Sequence, residues 1–210
     1  MIGDRRNPPP KPADPTLIEA FGTMATAILS DNLARLSGVV GLRQFHRKGK
    51  LVGTAFTVRT RSGDNLAIHQ ALGQVRPGDV IVVDGGGDTS RALVGEIMKA
   101  IAESRGAVGF VIDGAIRDSA AFAASDFPCY ARGCTHRGPY KNGPGEINVP
   151  VSIGGLVIEP GDIVVGDEDG IVAFPQSIAP ALLEAARAQE AKEAEIMKTI
   201  SEGRYNNAYG

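Results

Sequence analysis

Apolar residues over much of the chain either alternate with polar residues or form short unbroken runs, a pattern typical of buried strands. Residues 51–60 alternate and are rich in Val, Thr and Phe, while residues 80–83 read Val-Ile-Val-Val. A further buried strand is predicted at residues 108–113. Shorter strands are predicted in the second half of the chain, at residues 129–131, 147–149, 163–165 and 171–174.

Apolar residues spaced three or four positions apart predict four helices. The first is capped by Thr16 and runs to Leu36, and the second follows a cap at Asp64 or Asn65. A third covers residues 90–105. The last covers residues 178–202, and its middle has too few apolar residues to lie fully on its own core. It either stands out in solvent or, as we favour, reaches a neighbouring subunit.

The order of these elements predicts an α/β fold. Strands and helices alternate in the middle of the chain and strands dominate later, which is typical of a layered sandwich with a mixed sheet. One domain is expected over residues 16–175, followed by a C-terminal helix and tail over residues 176–210. Residues 1–15 contain five prolines and are expected to form a disordered arm or a strap across a neighbour.

The composition suits one globular core and argues against a nucleic-acid or membrane partner. Of 210 residues, 43% are apolar and 22% are charged, and the formal net charge is −2, so no basic surface for nucleic acid is expected. The apolar runs are far shorter than the roughly 20 residues that span a membrane. The N-terminus lacks the apolar core of a secretory signal. With two cysteines only, we expect a cytoplasmic protein with free thiols.

The tripeptide Pro-Gly-Asp occurs twice, at residues 77–79 and 160–162, each time before a buried strand. Convergent turn chemistry and an old duplication explain this equally well. Both strands lead into acidic, glycine-rich segments, residues 84–88 and 167–170. The first is either a structural turn or a loop that offers backbone N–H groups to an anion, although it lacks known nucleotide-loop spacings. The second is expected to be a hairpin turn.

Two short motifs could carry chemistry. Gly95 interrupts a helical pattern, so either another element packs closely against it or a helix begins there, which would free the N–H groups of Ile97 and Met98 for a carboxylate. Arg117 and Asp118 follow a buried strand, where functional residues of α/β sheets often lie. Asp118 can ligate Mg²⁺ or Mn²⁺ and Arg117 can hold a carboxylate. A surface ion pair or a helix cap is the alternative.

A zinc site at Cys129, Cys134 and His136 is not expected. These are only three ligands, and their spacing does not match a common zinc finger.

Several stretches, taken together and in order, resemble the RraA-like family. That family includes 4-hydroxy-4-methyl-2-oxoglutarate aldolases, oxaloacetate decarboxylases and a regulator of ribonuclease E. The matching stretches cover most of residues 50–175, namely 77–87, 95–98, 111–118, 131–133, 143–150 and 160–170. The resemblance implies an αββ-sandwich of the swivelling β/β/α type. It also implies assembly as a trimer, or as a hexamer built from trimers, with a site between subunits.

The resemblance further implies roles for particular residues. The segment from Gly95 through Ile97 and Met98 would bind substrate through backbone amides. Arg117 would bind substrate, and Asp118 would anchor a divalent metal.

Other residues would assist at the same site. Glu96 would help to move protons, although Asp is more usual at this position in the family. Glu193, on the C-terminal helix of a neighbouring subunit, would also assist, with Glu190 as the weaker match. Asn65 would line the site.

These roles predict a lyase that cleaves a small 2-oxo acid to pyruvate, such as 4-hydroxy-4-methyl-2-oxoglutarate, and that also decarboxylates oxaloacetate. Both reactions leave a pyruvate enolate, which Mg²⁺ or Mn²⁺ stabilises as a Lewis acid and Arg117 by its positive charge. The main alternative is a non-enzymatic regulator of ribonuclease E, which lacks the metal-anchoring acid found here at Asp118. A second alternative is a lyase for a different 2-oxo acid.

Overall fold

The computed structural model describes residues 4–35 and 38–206. Within these residues the helices are α1 (Pro15–Phe21), α2 (Thr26–Asn32), α3 (Leu66–Leu72), α4 (Glu96–Ser104), α5 (Ser119–Ala123) and α6 (Ala179–Ser201). The strands are β1 (Arg43–Gln44), β2 (Leu51–Thr60), β3 (Asp79–Asp84), β4 (Ala92–Val94), β5 (Gly109–Ile116), β6 (Cys129–Cys134), β7 (Gly145–Ile147), β8 (Val151–Ile153), β9 (Leu156–Ile158), β10 (Ile163–Asp167) and β11 (Gly170–Phe174).

A large mixed sheet forms the centre of the molecule, with its main path in the order β1-β6-β5-β3-β2-β10-β11. The neighbours β2, β3, β5 and β6 are parallel, whereas β10 and β11 run antiparallel at one side. β4 pairs in parallel with β5, β7 pairs with β2, and β8 and β9 form a separate hairpin. The predicted α/β sandwich with a mixed sheet and a long C-terminal helix is confirmed.

Both faces of the sheet are covered, and β3 shows why its sequence is an unbroken apolar run. Ile81 and Val83 pack in the cluster that contains α3 and α4. Val80 and Val82 pack in the cluster that contains the β8–β9 hairpin. Successive side chains of a strand point to opposite faces, so a strand covered on both sides needs apolar residues at every position.

The C-terminal helix α6 packs on its own chain only along its first half. Leu182, Leu183 and Ala186 are buried with residues of α1 and α2, whereas Met197 and Ile200 farther along are exposed. Gln189 still exchanges hydrogen bonds with Asp31 and Asn32 of α2, so the part of α6 beyond residue 189 is free to contact a neighbour. Among the described residues, no helix combines the length and the apolar character that crossing a bilayer would require.

Two of the predicted helices differ in the structure. The single helix expected from Thr16 to Leu36 is two helices, α1 and α2, and Leu36 itself lies outside the described residues. Gly22, a weak helix former, ends α1, and the apolar spacing continues because both helices cover the same core. Asp14 rather than Thr16 caps α1, since its carboxylate accepts the Thr16 backbone N–H at 2.9 Å.

The prediction of one helix over residues 90–105 is also wrong at its start. Residues 92–94 form β4, which pairs with β5, and α4 begins only at Glu96. The run Ala-Leu-Val is buried throughout. Such a short apolar run fits a buried helix turn and a buried strand equally well, and pairing with β5 decides between them.

The proline-rich segment was expected to be a disordered arm or a strap across a neighbour, and in the structure residues 4–14 lie against the fold of their own chain. Asn7 donates its backbone N–H to the carbonyl of Ile147 in β7 at 3.1 Å, and Ile147 donates to Arg5 at 2.9 Å. The Arg5 guanidinium also pairs with the buried carboxylate of Glu146 at 2.5 Å. Hydrogen bonds and an ion pair with β7 therefore order this proline-rich segment. The proline content alone does not predict these contacts.

Candidate functional site

The strongest candidate residues follow two neighbouring parallel strands that end at the same edge of the sheet. Val94 of β4 pairs with Ile116 of β5. The next residue along, Arg117, donates its backbone N–H to the Val94 carbonyl at 3.0 Å. Gly95 and the Arg117–Asp118 pair therefore lie side by side beyond the strand ends.

Asp118 is held in place by the start of α4. Its backbone is left-handed, with φ 56° and ψ 40°, and its side chain does not cap the adjoining helix α5. Instead, Oδ2 accepts the backbone N–H of Glu96 at 3.0 Å, an arrangement that the positive end of a helix favours. Among the described residues, no hydrogen bond reaches Oδ1, and the side chain is 43% exposed. One carboxylate oxygen thus remains available to a ligand.

Gly95 allows this approach because it has no side chain. A Cβ atom at this position would lie 2.5 Å from Asp118 Oδ2 and 2.9 Å from Arg117 Cγ. Gly95 is the residue before α4, and its φ of −153° is ordinary extended backbone. Both sequence expectations for Gly95 are therefore met, since a helix begins after it and another element packs against it.

A pocket of about 160 Å³ opens beside these residues. It is lined by five residues that the sequence analysis assigned to substrate binding: Asn65, Gly95, Ile97, Met98 and Arg117. Ile97 and Met98 occupy the first turn of α4, where backbone N–H groups lack partners inside the helix. Glu96 does not line this pocket, and Asp118 lines a more open neighbouring cavity that shares Arg117.

We call Gly95, Arg117 and Asp118 the Arg117–Asp118 corner. A second group of residues that line the pocket, which we call the Lys141 wall, consists of Asn65, His69 and Lys141, which contact one another.

The sequence analysis did not assign His69 or Lys141 to the site. Lys141 Nζ donates to Asn65 Oδ1 at 3.2 Å and lies 3.0 Å from His69 Nε2. Desolvation and, secondarily, the charge of Lys141 lower the pKa of His69, so the imidazole is neutral at neutral pH. His69 follows Asn65 by one helical turn, which was a usable signal. Lys141 comes from a distant loop, and no spacing in the sequence indicated that it belongs to the site.

Glu193 does not reach the pocket of its own chain. Helix α6 packs with α1 and α2 in the cluster that contains β10 and β11, whereas the pocket lies beside β4 and β5. Glu193 is exposed and accepts a hydrogen bond from Gln189 at 2.8 Å. Its weaker alternative, Glu190, is exposed on the same helix. A role for either residue in the pocket therefore requires a second copy of the chain.

The donor set at Asp118 fits one kind of metal. Over residues 4–35 and 38–206, no group of three or more His, Cys, Asp or Glu side chains is arranged to hold a metal ion. Asp118 is therefore a single oxygen ligand. Mg²⁺ is commonly bound through one or two carboxylates together with water and substrate oxygens, so Asp118 suits Mg²⁺ or Mn²⁺. A structural zinc ion, which needs four protein ligands, does not fit.

The glycine-rich segments have structural roles. A Cβ on Gly85 would lie 2.5 Å from Leu93 Cδ1, and residues 84–88 do not line the pocket, which favours the structural turn. Asp167 pairs with Gly170 across the turn that joins β10 to β11, so the predicted hairpin is confirmed.

The two Pro-Gly-Asp segments also build the same turn. The carboxylate of Asp79 accepts the Arg76 backbone N–H at 2.9 Å, and that of Asp162 accepts the Glu159 N–H at 2.9 Å.

Comparison with known proteins gives concordant matches. Residues 26–173 match the family model described as RraA-like: Aldolase/RraA. The chain is 40% identical over 191 residues to a Halalkalibacterium halodurans protein named "Putative 4-hydroxy-4-methyl-2-oxoglutarate aldolase", covering 90% of this chain and 91% of that protein.

Two solved structures share the fold over most of the chain. An uncharacterized protein from Pseudomonas syringae pv. tomato superposes with a TM-score of 0.84 at 32% identity, covering 92% of both chains. RraAS2 from Streptomyces coelicolor, described as an unusual member of the RNase ES inhibitor RraA protein family, superposes with a TM-score of 0.81 at 28% identity, covering 89% of this chain and 98% of that chain.

Proposed function

Because this chain belongs to the RraA-like family, we propose that it is a divalent-metal-dependent lyase that releases pyruvate from a 4-hydroxy-2-oxo acid. The first candidate substrate is 4-hydroxy-4-methyl-2-oxoglutarate, which appears in the name of the bacterial relative. Decarboxylation of oxaloacetate would pass through the same enolate. The observation that carries the proposal is the Arg117–Asp118 pair, set against the start of α4 beside a small pocket.

The Arg117–Asp118 corner would hold the pyruvyl end of the substrate. The Arg117 guanidinium offers two parallel N–H groups to a carboxylate. Ile97 and Met98 line the same pocket at the N-terminus of α4, where backbone N–H groups can bind an anion. These donors are in place before the reaction. They therefore stabilise the negative charge that develops on the pyruvyl oxygens as the bond to the departing fragment breaks.

Asp118 is the residue that would hold the divalent cation. The Glu96 N–H fixes Oδ2, so Oδ1 is presented in one orientation. Mg²⁺ or Mn²⁺, when bound, supplies Lewis-acid stabilisation of the enolate.

The Lys141 wall would bind the other end of the substrate. The Lys141 ammonium supplies positive charge and Asn65 fixes its position through a hydrogen bond of 3.2 Å. Because the pKa of His69 is lowered, its imidazole is neutral, and its Nε2 can accept a hydrogen bond from the Lys141 ammonium, 3.0 Å away, without charge repulsion. A pocket of about 160 Å³ lined by two basic groups, Arg117 and Lys141, suits a short 2-oxo acid with a second carboxylate.

Protons at the cleaved bond would be moved by acidic residues brought close to the Arg117–Asp118 corner. Glu96 carries an exposed carboxylate in the first turn of α4. Glu193 would come from a second copy, on the part of α6 beyond residue 189 that does not pack on its own chain. A site shared in this way needs at least two copies of the chain, and we propose a homotrimer, or a hexamer built from trimers, as the resemblance to the family implies.

Complementation between two inactive variants tests the shared site. Each site would combine Asp118 of one copy with Glu193 of another. When Asp118→Ala and Glu193→Gln are co-expressed, some sites of the mixed oligomers therefore combine an unchanged Asp118 with an unchanged Glu193. We expect pyruvate release to return in the mixture. Mixed oligomers that form, as shown by light scattering and tag exchange, but stay inactive would contradict a shared site. Point variants are needed because a deletion of α6 would expose Leu182 and Leu183 of the core.

A substrate panel tests the reaction itself. Pyruvate release is measured with Mg²⁺ for 4-hydroxy-4-methyl-2-oxoglutarate, oxaloacetate and a 4-hydroxy-2-oxo acid without a second carboxylate. We expect the first two to react above the background rate and the third to react with a higher KM. Absence of pyruvate from every member of the panel would contradict the proposed function.

Regulation of ribonuclease E is a second candidate, favoured by the structural likeness to RraAS2. That role needs a contact surface and neither the pocket nor Asp118. Ribonuclease E cleavage is therefore measured with the parent protein and with Asp118→Ala. Equal inhibition by both proteins, without pyruvate release by the parent, would favour the regulator over the lyase.

A further inference from the structure

Asp64 is a fully buried carboxylate that joins two distant segments of the chain. It lies between β2 and α3 and is 0% exposed. Its Oδ1 accepts the backbone N–H of Leu66 at 2.9 Å, at the start of α3. Its Oδ2 accepts the N–H groups of Asn142 at 2.7 Å and Gly143 at 2.9 Å, in the loop between β6 and β7.

These two segments carry the Lys141 wall. The α3 side supplies Asn65 and His69, and the loop supplies Lys141, 76 positions from Asn65. Backbone bonds join the segments on the other side of Lys141, since Asn65 donates to the Tyr140 carbonyl at 3.0 Å and Tyr140 donates to the Gly63 carbonyl at 2.8 Å. The backbone of Lys141 is thus attached to the α3 side through the residues on both of its flanks.

We propose that Asp64 is a positioning residue that holds Lys141 at the pocket. The proposal rests on the proposed function only for what Lys141 binds, namely the second carboxylate of the substrate. The Lys141 side chain is exposed and long, so its backbone must be fixed if the ammonium is to stay beside Asn65. No other charged side chain accepts hydrogen bonds from this loop among the described residues.

Only a carboxylate at position 64 can accept the N–H groups of both segments at the same time. Its two oxygens accept three N–H groups at once, and hydrogen bonds to an ionised acceptor are stronger than neutral ones. An asparagine would keep one acceptor oxygen and turn an NH₂ group toward N–H donors. Asp64→Asn therefore keeps the volume but removes the link that the two carboxylate oxygens make between the segments, while the backbone bonds of Tyr140 remain.

The matched control is Asp162→Asn. Asp162 is also buried, at 7% exposure, and its carboxylate accepts a single backbone N–H from Glu159 in a turn before β10, away from the pocket. A general loss of stability would appear in both variants, whereas loss of Lys141 positioning would appear only in Asp64→Asn.

The first readout is the NMR titration of His69, which needs no activity. In the parent, desolvation and the Lys141 charge lower the pKa of His69. We expect this pKa to rise in Asp64→Asn, and to rise equally in Lys141→Met, where the charge is absent. Asp162→Asn should leave it unchanged. A folded Asp64→Asn protein with the parent His69 pKa would overturn the proposal, whatever the protein's reaction proves to be.

The second readout is a double-mutant cycle on substrate binding. Asp64→Asn should raise KM for the dicarboxylic substrate by about tenfold, the order expected for loss of one charge-assisted contact, with little change in kcat. In a Lys141→Met background, Asp64→Asn should add almost nothing, because both changes remove the same interaction. Additive effects would contradict action through Lys141.

Two further measurements cover the case in which Asp64→Asn does not fold. In Asp64→Ser, the hydroxyl can still accept the Leu66 N–H two residues on but is too short to reach the loop as well, and the same His69 shift is expected. In the unmutated protein, the amides of Asn142 and Gly143 should exchange with solvent slowly, as buried hydrogen-bonded amides do. Exchange at the rate of an open loop would overturn the proposal.

Discussion

The Arg117–Asp118 corner and the Lys141 wall both contribute residues to one pocket but are built differently. In the corner, adjacent strand ends and the first turn of α4 place the residues through the backbone, with contacts as close as Glu96 N to Asp118 Oδ2 at 3.0 Å. In the wall, side chains from segments 72 positions apart meet, as His69 and Lys141 do.

In the proposed reaction, this difference corresponds to two kinds of contribution to catalysis. The corner would face the part of the substrate where charge develops, so its contacts would strengthen in the transition state and act on kcat. The wall would face a carboxylate that does not change during the reaction, so its contacts would act mainly on KM. Variants of the corner should therefore change mainly kcat, and variants of the wall should change mainly KM.

The largest effect is expected for Asp118→Ala. Loss of metal-type stabilisation, worth several kcal/mol, corresponds to about a thousandfold or greater fall in pyruvate release. Asp118 also caps α4, so the free energy of unfolding should fall by about 1 kcal/mol, as for other lost caps. Asp126→Ala is the control, because that carboxylate is similarly exposed and pairs with Arg47 away from the pocket. Turnover at the parent level in a folded Asp118→Ala protein would rule out the metal assignment.

Arg117→Lys should lower kcat by roughly a hundredfold, within the range for lost oxyanion donors. The positive charge remains, but a lysine cannot make the planar two-pronged contact with a carboxylate. Steady-state kinetics and a melting curve are measured on the same preparation. If kcat stays within about twofold of the parent, Arg117 contributes charge alone and the two-pronged contact is not used.

Gly95→Ala tests the close packing within the corner. Its Cβ would lie 2.5 Å from Asp118 Oδ2, so the carboxylate must move, and displacements of about 1 Å cost up to about a hundredfold in rate. Gly138→Ala is the control, since its Cβ would meet Arg117 Nη1 at an ordinary 3.6 Å. We expect a fall in kcat of between about tenfold and a hundredfold for the first variant only. Equal kinetics for both variants would mean that the position of Asp118 is not constrained by Gly95.

The smallest effect is expected for Lys141→Met, which keeps the length of the side chain and removes its charge. KM for a substrate with a second carboxylate should rise by about tenfold, the value of one exposed charge-assisted contact, while kcat changes little. A substrate without that carboxylate should show no difference between parent and variant. A large fall in kcat instead would place Lys141 with the corner rather than the wall.

The sequence predicted those features that depend on local pattern. The strand Leu51–Thr60 matches its predicted bounds, because alternating apolar residues over ten positions leave little choice. Arg117 and Asp118 were singled out because they directly follow a buried strand, which is a local property. Residues 92–94 were assigned to a helix because three apolar residues in a row carry no period of their own, and only pairing with β5 makes them a strand.

The Lys141 wall could not be predicted from the sequence pattern, because it also depends on contacts between distant segments of the chain. Asp64 was predicted as a possible cap for the following helix, and its Oδ1 does serve that role. Its Oδ2 accepts N–H groups from a loop more than 70 positions away, and no spacing in one sequence encodes that meeting. Lys141 could be placed only once the turn before α3 and the loop before β7 were seen together.

The most direct test of the central claim is pyruvate release from 4-hydroxy-4-methyl-2-oxoglutarate by protein freed of metal and then titrated with Mg²⁺. The claim that Asp118 anchors a metal needed for lyase activity requires that turnover vanish in excess chelator and return with Mg²⁺ or Mn²⁺. It also requires that Asp118→Ala show no such recovery under the same titration. Full turnover by the parent in excess chelator, above the background rate, would contradict it.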